Sequence, residues 1–318
     1  MLTEPTWAHR AWRALGAPAE ILIWGVDSDA LVPWAIEEIE RHEACWSRFR
    51  PTSELSQLND SGGAPVTVSP TLWAALERAD QGWRATNGLY DPTILTTLRA
   101  LGYDRTFREV VSEDATLPQS QPVLGWAAVH LDHERHVVSV PPGAAVDLGG
   151  LGKGLLADIV ADGLMQRGAL SVNVTLGGDI KVRGPGPDDD SAWLIAVEHP
   201  LTEQIFMRFP LVDEAIVQST TAMRTWQRGS RRLHHLIDPR TGWPADSGLA
   251  GVVVTGPEAW FSEVIAKAAL VAGEGPGRDL IEGVGLDGWL IRDDGHVIGT
   301  ANVAADLHPG PDGDADDR

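Results

Sequence analysis

Between Val146 and Gly154 the chain reads Val-Asp-Leu-Gly-Gly-Leu-Gly-Lys-Gly, and a second glycine turn, Leu176-Gly177-Gly178-Asp179-Ile180, follows one helix later. Glycines let backbone amides approach a ligand closely, and a helix beginning near Leu155 would aim its positive end at an anion. Lys153 adds a mobile point charge suited to phosphate. The segment predicts a phosphate-bearing ligand, and it narrows the fold that presents one. A Walker A loop is excluded, because its leading glycine would fall on Asp147 and Gly154 stands where Ser or Thr is required. Gly152, Gly154 and Ala157 satisfy a loose G-x-G-x-x-A pattern. The element before them, 143–148, is short and follows Pro141-Pro142, and a second glycine turn ending in Asp179 stands where a dinucleotide fold has its acidic residue. A Rossmann domain is disfavoured.

Apolar periodicity fills in the rest. Residues 30–46 and 70–85 carry helical spacing, 155–167 reads as an amphipathic helix stopped by Gly168, and 259–271 as another with Trp260, Phe261, Val264, Ile265 and Ala268 on its apolar face. Strand-like runs are predicted at 20–26, 127–131, 136–140, 170–174, 180–183, 192–198, 204–209, 215–218, 251–255 and 288–292. Strands and helices do not alternate regularly. The fold class expected is α+β, with mixed or antiparallel sheets and packed helices.

The formal net charge of −20 argues against nonspecific binding to nucleic acid or to an anionic membrane. Residues 1–302 read as one domain. Residues 303–318, with Asp306, Asp312, Asp314, Asp316 and Asp317 among Pro and Gly, read as a disordered acidic tail. Residues 1–16 contain no apolar run, which predicts neither secretory signal nor membrane anchor. A single cysteine, Cys45, allows no intramolecular disulfide and reads as buried filler. A cytoplasmic protein is expected.

Six segments, taken in order and including the two glycine segments, resemble one family, the ApbE-like FAD:protein FMN transferases. They are Trp46-Ser47-Arg48-Phe49-Arg50 with Ser53-Glu54-Leu55 and Leu58-Asn59; Gly88-Leu89-Tyr90-Asp91-Pro92-Thr93; Leu101-Gly102-Tyr103-Asp104; the stretch from Asp147 to Gly154 with Asp158; Asn173 with Gly177-Gly178-Asp179-Ile180; and His234-His235-Leu236-Ile237-Asp238-Pro239 with Thr241-Gly242 and Pro244. The resemblance covers nearly the whole chain. It implies an ApbE-like fold that binds FAD, usually with Mg²⁺, and moves FMN onto a threonine of an acceptor protein while AMP leaves. Some relatives let water attack instead, so an FAD pyrophosphatase is one alternative. A flavin-binding protein whose transfer chemistry has decayed is another, and a Rossmann oxidoreductase is a distant one.

On matching positions the resemblance places Leu15, Phe49, Leu89, Tyr90, Asp91 and Leu236 against the cofactor, Asp147 as an acceptor for one of its hydroxyls or ring nitrogens, and Lys153 on phosphate. Asp179 is a further cofactor candidate or a turn residue. His235 would take the proton of the incoming threonine, given a pKa near the operating pH, or would orient a loop. His234, on the other side of an extended backbone, would point elsewhere.

Two departures stand out. Relatives usually carry Ala-Asp-Ala-Leu-Ala-Thr-Ala on the last helix, its Asp and Thr binding metal. This chain has Ser262-Glu263-Val264-Ile265-Ala266-Lys267-Ala268. Glu263 and the Gly150 carbonyl remain oxygen donors, but an ammonium has no lone pair to give, which puts Mg²⁺ in question. Lys267 is expected either to set its ammonium where the metal would sit, held by Glu263, or to form a solvent-facing pair worth roughly 0.3–0.5 kcal/mol. The other departure is Gln218-Ser219-Thr220-Thr221-Ala222, where relatives have Ala-Thr-Ser-Gly; the lost glycine would reshape the approach of the acceptor.

Overall fold

The computed structural model describes residues 4–111, 116–119, 121–187 and 192–303. Its centre is an eight-stranded sheet whose neighbours all run antiparallel. In spatial order the strands are Thr6–Ala14, Ala17–Gly25, Ala169–Leu176, Asp179–Arg183, Ala215–Thr220, Leu249–Gly256, Asp287–Arg292 and Val297–Gly299. Side chains alternate across it as the two-residue period demands. In Leu249–Gly256, Val252 and Val254 enter a core with helices, whereas Val253 packs on the opposite face with Trp193, Phe209 and Trp289 from a covering hairpin and an adjacent strand.

The helices are α1 (Ser28–Trp46), α2 (Glu54–Asn59), α3 (Pro70–Ala85), α4 (Leu95–Ala100), α5 (Gly152–Gln166), α6 (Ala259–Ala272) and α7 (Glu274–Gly283). Helix α6 is apolar nearly all round because it is enclosed. Trp260, Val264 and Ala268 enter one core cluster, and Ile265, Ala269 and Leu270 another. It lies against the start of α5 so closely that a Cβ on Gly154 would sit 2.6 Å from the Ala259 backbone carbonyl. No described helix is long and apolar enough to cross a membrane.

The structure corrects several boundaries. Helix α5 starts at Gly152, so Gly152, Lys153 and Gly154 form its first turn and Lys153 is not in a loop. The second glycine turn is a two-residue hairpin turn, Gly177 and Gly178 at φ 62° and 94°. The strand Thr6–Ala14 was not expected; as an edge strand it is mostly exposed and carries little alternation. Residues 126–128 form a 3₁₀ turn before the short strand His130–Asp132. The acidic tail from residue 304 on lies outside the described residues.

Candidate active site

A cavity of about 430 Å³ opens where the N-terminus of α5 meets the 89–94 loop, the end of α6 and the segment 235–237. One wall is apolar. Phe49, Ile94 and Phe107 pack there on a cluster built around Leu98, Tyr103 and Ile237. Arg48 joins this wall to the glycine segment. Its guanidinium lies 4.1 Å from the Phe49 ring centroid and 4.4 Å from that of Tyr103, donates to the Tyr103 carbonyl and sits 3.3 Å from Asp147. Arg48 belongs to the Trp46–Arg50 motif, which by itself gives it no role. Its place next to Phe49 in the same motif was the available signal.

The opposite end is ionic. The Lys153 ammonium contacts Asp179 and lies 2.7 Å from Glu263 Oε1, and the Lys267 ammonium lies 2.8 Å from the same oxygen. Glu263 Oε2 accepts from the Gly154 amide at 2.9 Å. The two carboxylates are sealed, their side chains 2% and 0% exposed, while the lysines are 14% and 15% exposed and line the cavity. The neutral cluster is therefore polarised, with positive charge towards the ligand and negative charge behind it. The i,i+4 pair on α6 is buried, not solvent-facing.

These surroundings set the ionisation. Burial works to raise Glu263, but Lys153 and Lys267 outweigh it and bring its pKa down to about 2. Burial pushes Asp179 up to about 6 against the pull of Lys153. Burial works against the Lys153 ammonium as well, but Asp179 and Glu263 hold its pKa above the usual lysine value; at Lys267 burial prevails and the pKa falls.

Of the cofactor, catalytic and metal candidates named from the sequence, all line the cavity except Asp179 and Glu263, which lie behind it. Three of those expectations change. Asp91 points its oxygens at the Thr93 amide, the Thr93 hydroxyl and the Trp126 amide, so it braces the cavity wall and has little left for a ligand. Asp179 is an ion-pair partner of Lys153, set there by the hairpin turn before it. Glu263 does not fit a metal. Both its oxygens are taken, and among the described residues no three His, Cys, Asp or Glu side chains are grouped to hold an ion. The Gly150 carbonyl has no partner ligand in that set. A Cβ on Gly150 would lie 2.8 Å from the Tyr90 ring, so the glycine lets the turn press on Tyr90.

Two buried polar atoms on the cavity wall have no partner, Tyr90 Oη and His235 Nδ1. Such orphans in a native fold call for an explanation. Burial, followed by the charges of Arg224 and Lys267, drives the His235 pKa well below 6.5 and keeps the ring neutral, below the near-operating value expected. His234 does point elsewhere, with Nε2 on the Ala245 carbonyl and Nδ1 accepting from the Leu236 amide. Arg224, at φ 50°, also lines the cavity; sequence reasoning passed it over because it belongs to no motif.

A family model described as the ApbE family matches residues 15–289. The chain is 27% identical over 314 residues to an FAD:protein FMN transferase of Treponema pallidum, covering 92% of this chain and 87% of the relative. It is 29% identical over 241 residues to one of Vibrio cholerae, covering 74% and 71%. Among solved structures it superposes on the ApbE protein of Thermotoga maritima with a TM-score of 0.83 at 21% identity, covering 93% and 97% of the two chains. The flavin transferase ApbE of Vibrio cholerae gives 0.80 at 24%, covering 93% and 98%.

Proposed function

The chain belongs to the ApbE family, and on that premise we propose that it transfers FMN from FAD to a threonine hydroxyl of an acceptor protein, releasing AMP. The observation that carries this reading is the pairing, in one cavity, of an apolar aromatic wall with two ammonium groups at a helix N-terminus. A ring system attached to a pyrophosphate needs both.

In this reading a ring of FAD lies along Phe49 and Tyr103, and the pyrophosphate lies over the first turn of α5 between Lys153 and Lys267. The threonine oxygen attacks the phosphorus of the FMN half. The bond from that phosphorus to the bridging oxygen breaks, and AMP departs with the electron pair. The threonine proton passes to the neutral imidazole of His235. Bound phosphate would offset the cations that depress this imidazole and so make it a better base. Catalysis rests on alignment and on charge placed before the reaction begins.

The residues do not fit a divalent ion, and we read the two lysines as its replacement. The test is to incubate the protein with FAD and a threonine-containing peptide, with Mg²⁺ or with EDTA, following AMP and the peptide mass. AMP release with an FMN-sized gain is expected in both. AMP without the gain would mean hydrolysis, and strict Mg²⁺ dependence would overturn the lysine reading.

Asp179 gives the site a pH dependence. As pH falls through about 6 its carboxylate is protonated, while Glu263, at about 2, stays ionised. The cluster then changes from neutral to singly positive. FAD affinity should rise on the order of tenfold from pH 8 to pH 5, with riboflavin, which lacks phosphate, showing no such rise. Flavin fluorescence titrations check this, and a falling FAD affinity would refute it.

A further inference from the structure

In a chain with net charge −20, residues 215–237 contain no Asp or Glu and carry Arg224, Arg228, Arg231 and Arg232. Most of this stretch beyond the sheet strand is one hairpin, Thr225–Arg228 paired with Arg231–His234. Its root is fixed in the cavity wall. Trp226 and Leu233 face each other across the strands and pack in the cluster with Leu98, Tyr103 and Ile237, and Trp226 Nε1 donates to the Leu101 carbonyl at 2.9 Å. The residue before the hairpin, Arg224, and the residue after it, His235, both line the cavity.

The tip carries a charge arrangement that the fold alone does not account for. Arg228 and Arg231 are directly opposite in register, a like-charge pair that disfavours the hairpin. Among the described residues none of the four arginines makes an ion pair. Arg228 Nε is buried without a partner, Arg231 lies over the Trp243 ring, and Arg232 bonds only the Thr225 hydroxyl. The nearby Asp104 feels Arg228 but is bonded to Arg105. Beside Arg224, Met223 is 66% exposed, the most exposed large apolar residue described. Unneutralised guanidinium groups on a hairpin whose root adjoins an exposed apolar side chain and a cavity that must admit another protein's hydroxyl have the features of a docking surface.

We propose that this hairpin recognises the acceptor protein, through an acidic segment flanking the target threonine, and delivers the hydroxyl to His235, the residue that follows its second strand. The inference rests on the transferase reading. A peptide fits better than nucleic acid, because three arginines on one short hairpin and a fourth at its root give no extended basic track, and the acidic remainder of the chain repels a polyanion.

The test uses the full chain, FAD and two synthetic peptides with a central threonine, one flanked by Asp and Glu and the other by Asn and Gln. The acidic peptide should have a kcat/KM for FMN addition on the order of tenfold higher, residing in KM and shrinking as salt rises from about 0.05 to about 0.5 M. The triple variant Arg228→Gln, Arg231→Gln, Arg232→Gln should lose that preference, with unchanged FAD affinity showing that it is folded. Equal use of both peptides by the parent chain, or a preference that survives in the variant, would overturn the docking inference alone. FMN addition to neither peptide would overturn the transferase reading and this inference with it. Displacement of the acidic peptide by a DNA oligonucleotide of equal charge would overturn the assignment to a peptide.

Discussion

Replacing Glu263 with Gln should lower the stability of the protein by about 3–5 kcal/mol, the usual cost of breaking a buried ion pair from one side. Glu263 is fully buried and its two oxygens serve three donors, the Lys153 and Lys267 ammonium groups and the Gly154 amide. A glutamine keeps the volume but removes the charge, and its amide nitrogen adds a donor where only acceptors are wanted. Two ammonium groups would then share Asp179 alone. For a chain of this size the loss corresponds to a fall in melting temperature on the order of 10 °C. Adding Lys267→Met should recover part of it, because one of the stranded charges is then gone. Urea unfolding of the single and double variants measures both terms. A single variant as stable as the parent would mean that the cluster is neutralised by water and not by its own members.

Replacing His235 with Ala should reduce FMN transfer by about 10²–10⁴-fold, the range for loss of a positioned base. FAD affinity should change little, since the cationic end and the aromatic wall are left in place. The contrast separates a base from a residue that merely shapes the loop, which would weaken binding and transfer together. Added imidazole should restore part of the rate, because the truncated side chain leaves room beside the orphaned position. Single-turnover AMP release with a saturating acceptor peptide is the readout. An unchanged rate would assign the proton to water or to the phosphate itself.

The cavity was legible because most of its wall comes from short ordered motifs whose residues sit within a few positions of one another. The glycine-lysine segment announced an anion site correctly, but local spacing assigned Lys153 to a loop. The glycine at 154 serves a tertiary contact instead: it lies in the first turn of α5, where the backbone at Ala259 leaves no room for a side chain. The role of Asp179 was invisible for a similar reason. It meets Lys153 only after a hairpin and a helix have brought residues 26 positions apart together. Helix α7 was missed because Gly275, Pro276, Gly277 and Gly283 read as loop, whereas the tight approach of Gly277 to the Ala269 carbonyl is what lets it pack on α6. The arginine hairpin carries no motif and has too few apolar positions to show a period.

The place of Lys267 on α6 bears on the conditions under which such an enzyme works. A divalent ion is on loan from solution: its occupancy follows the free concentration, and nucleotides or polyphosphates compete for it. An ammonium attached to the helix backbone is present in every folded molecule, does not exchange, and is beyond the reach of a chelator. The rate of such a protein would then be set by the supply of FAD and acceptor and not by metal homeostasis.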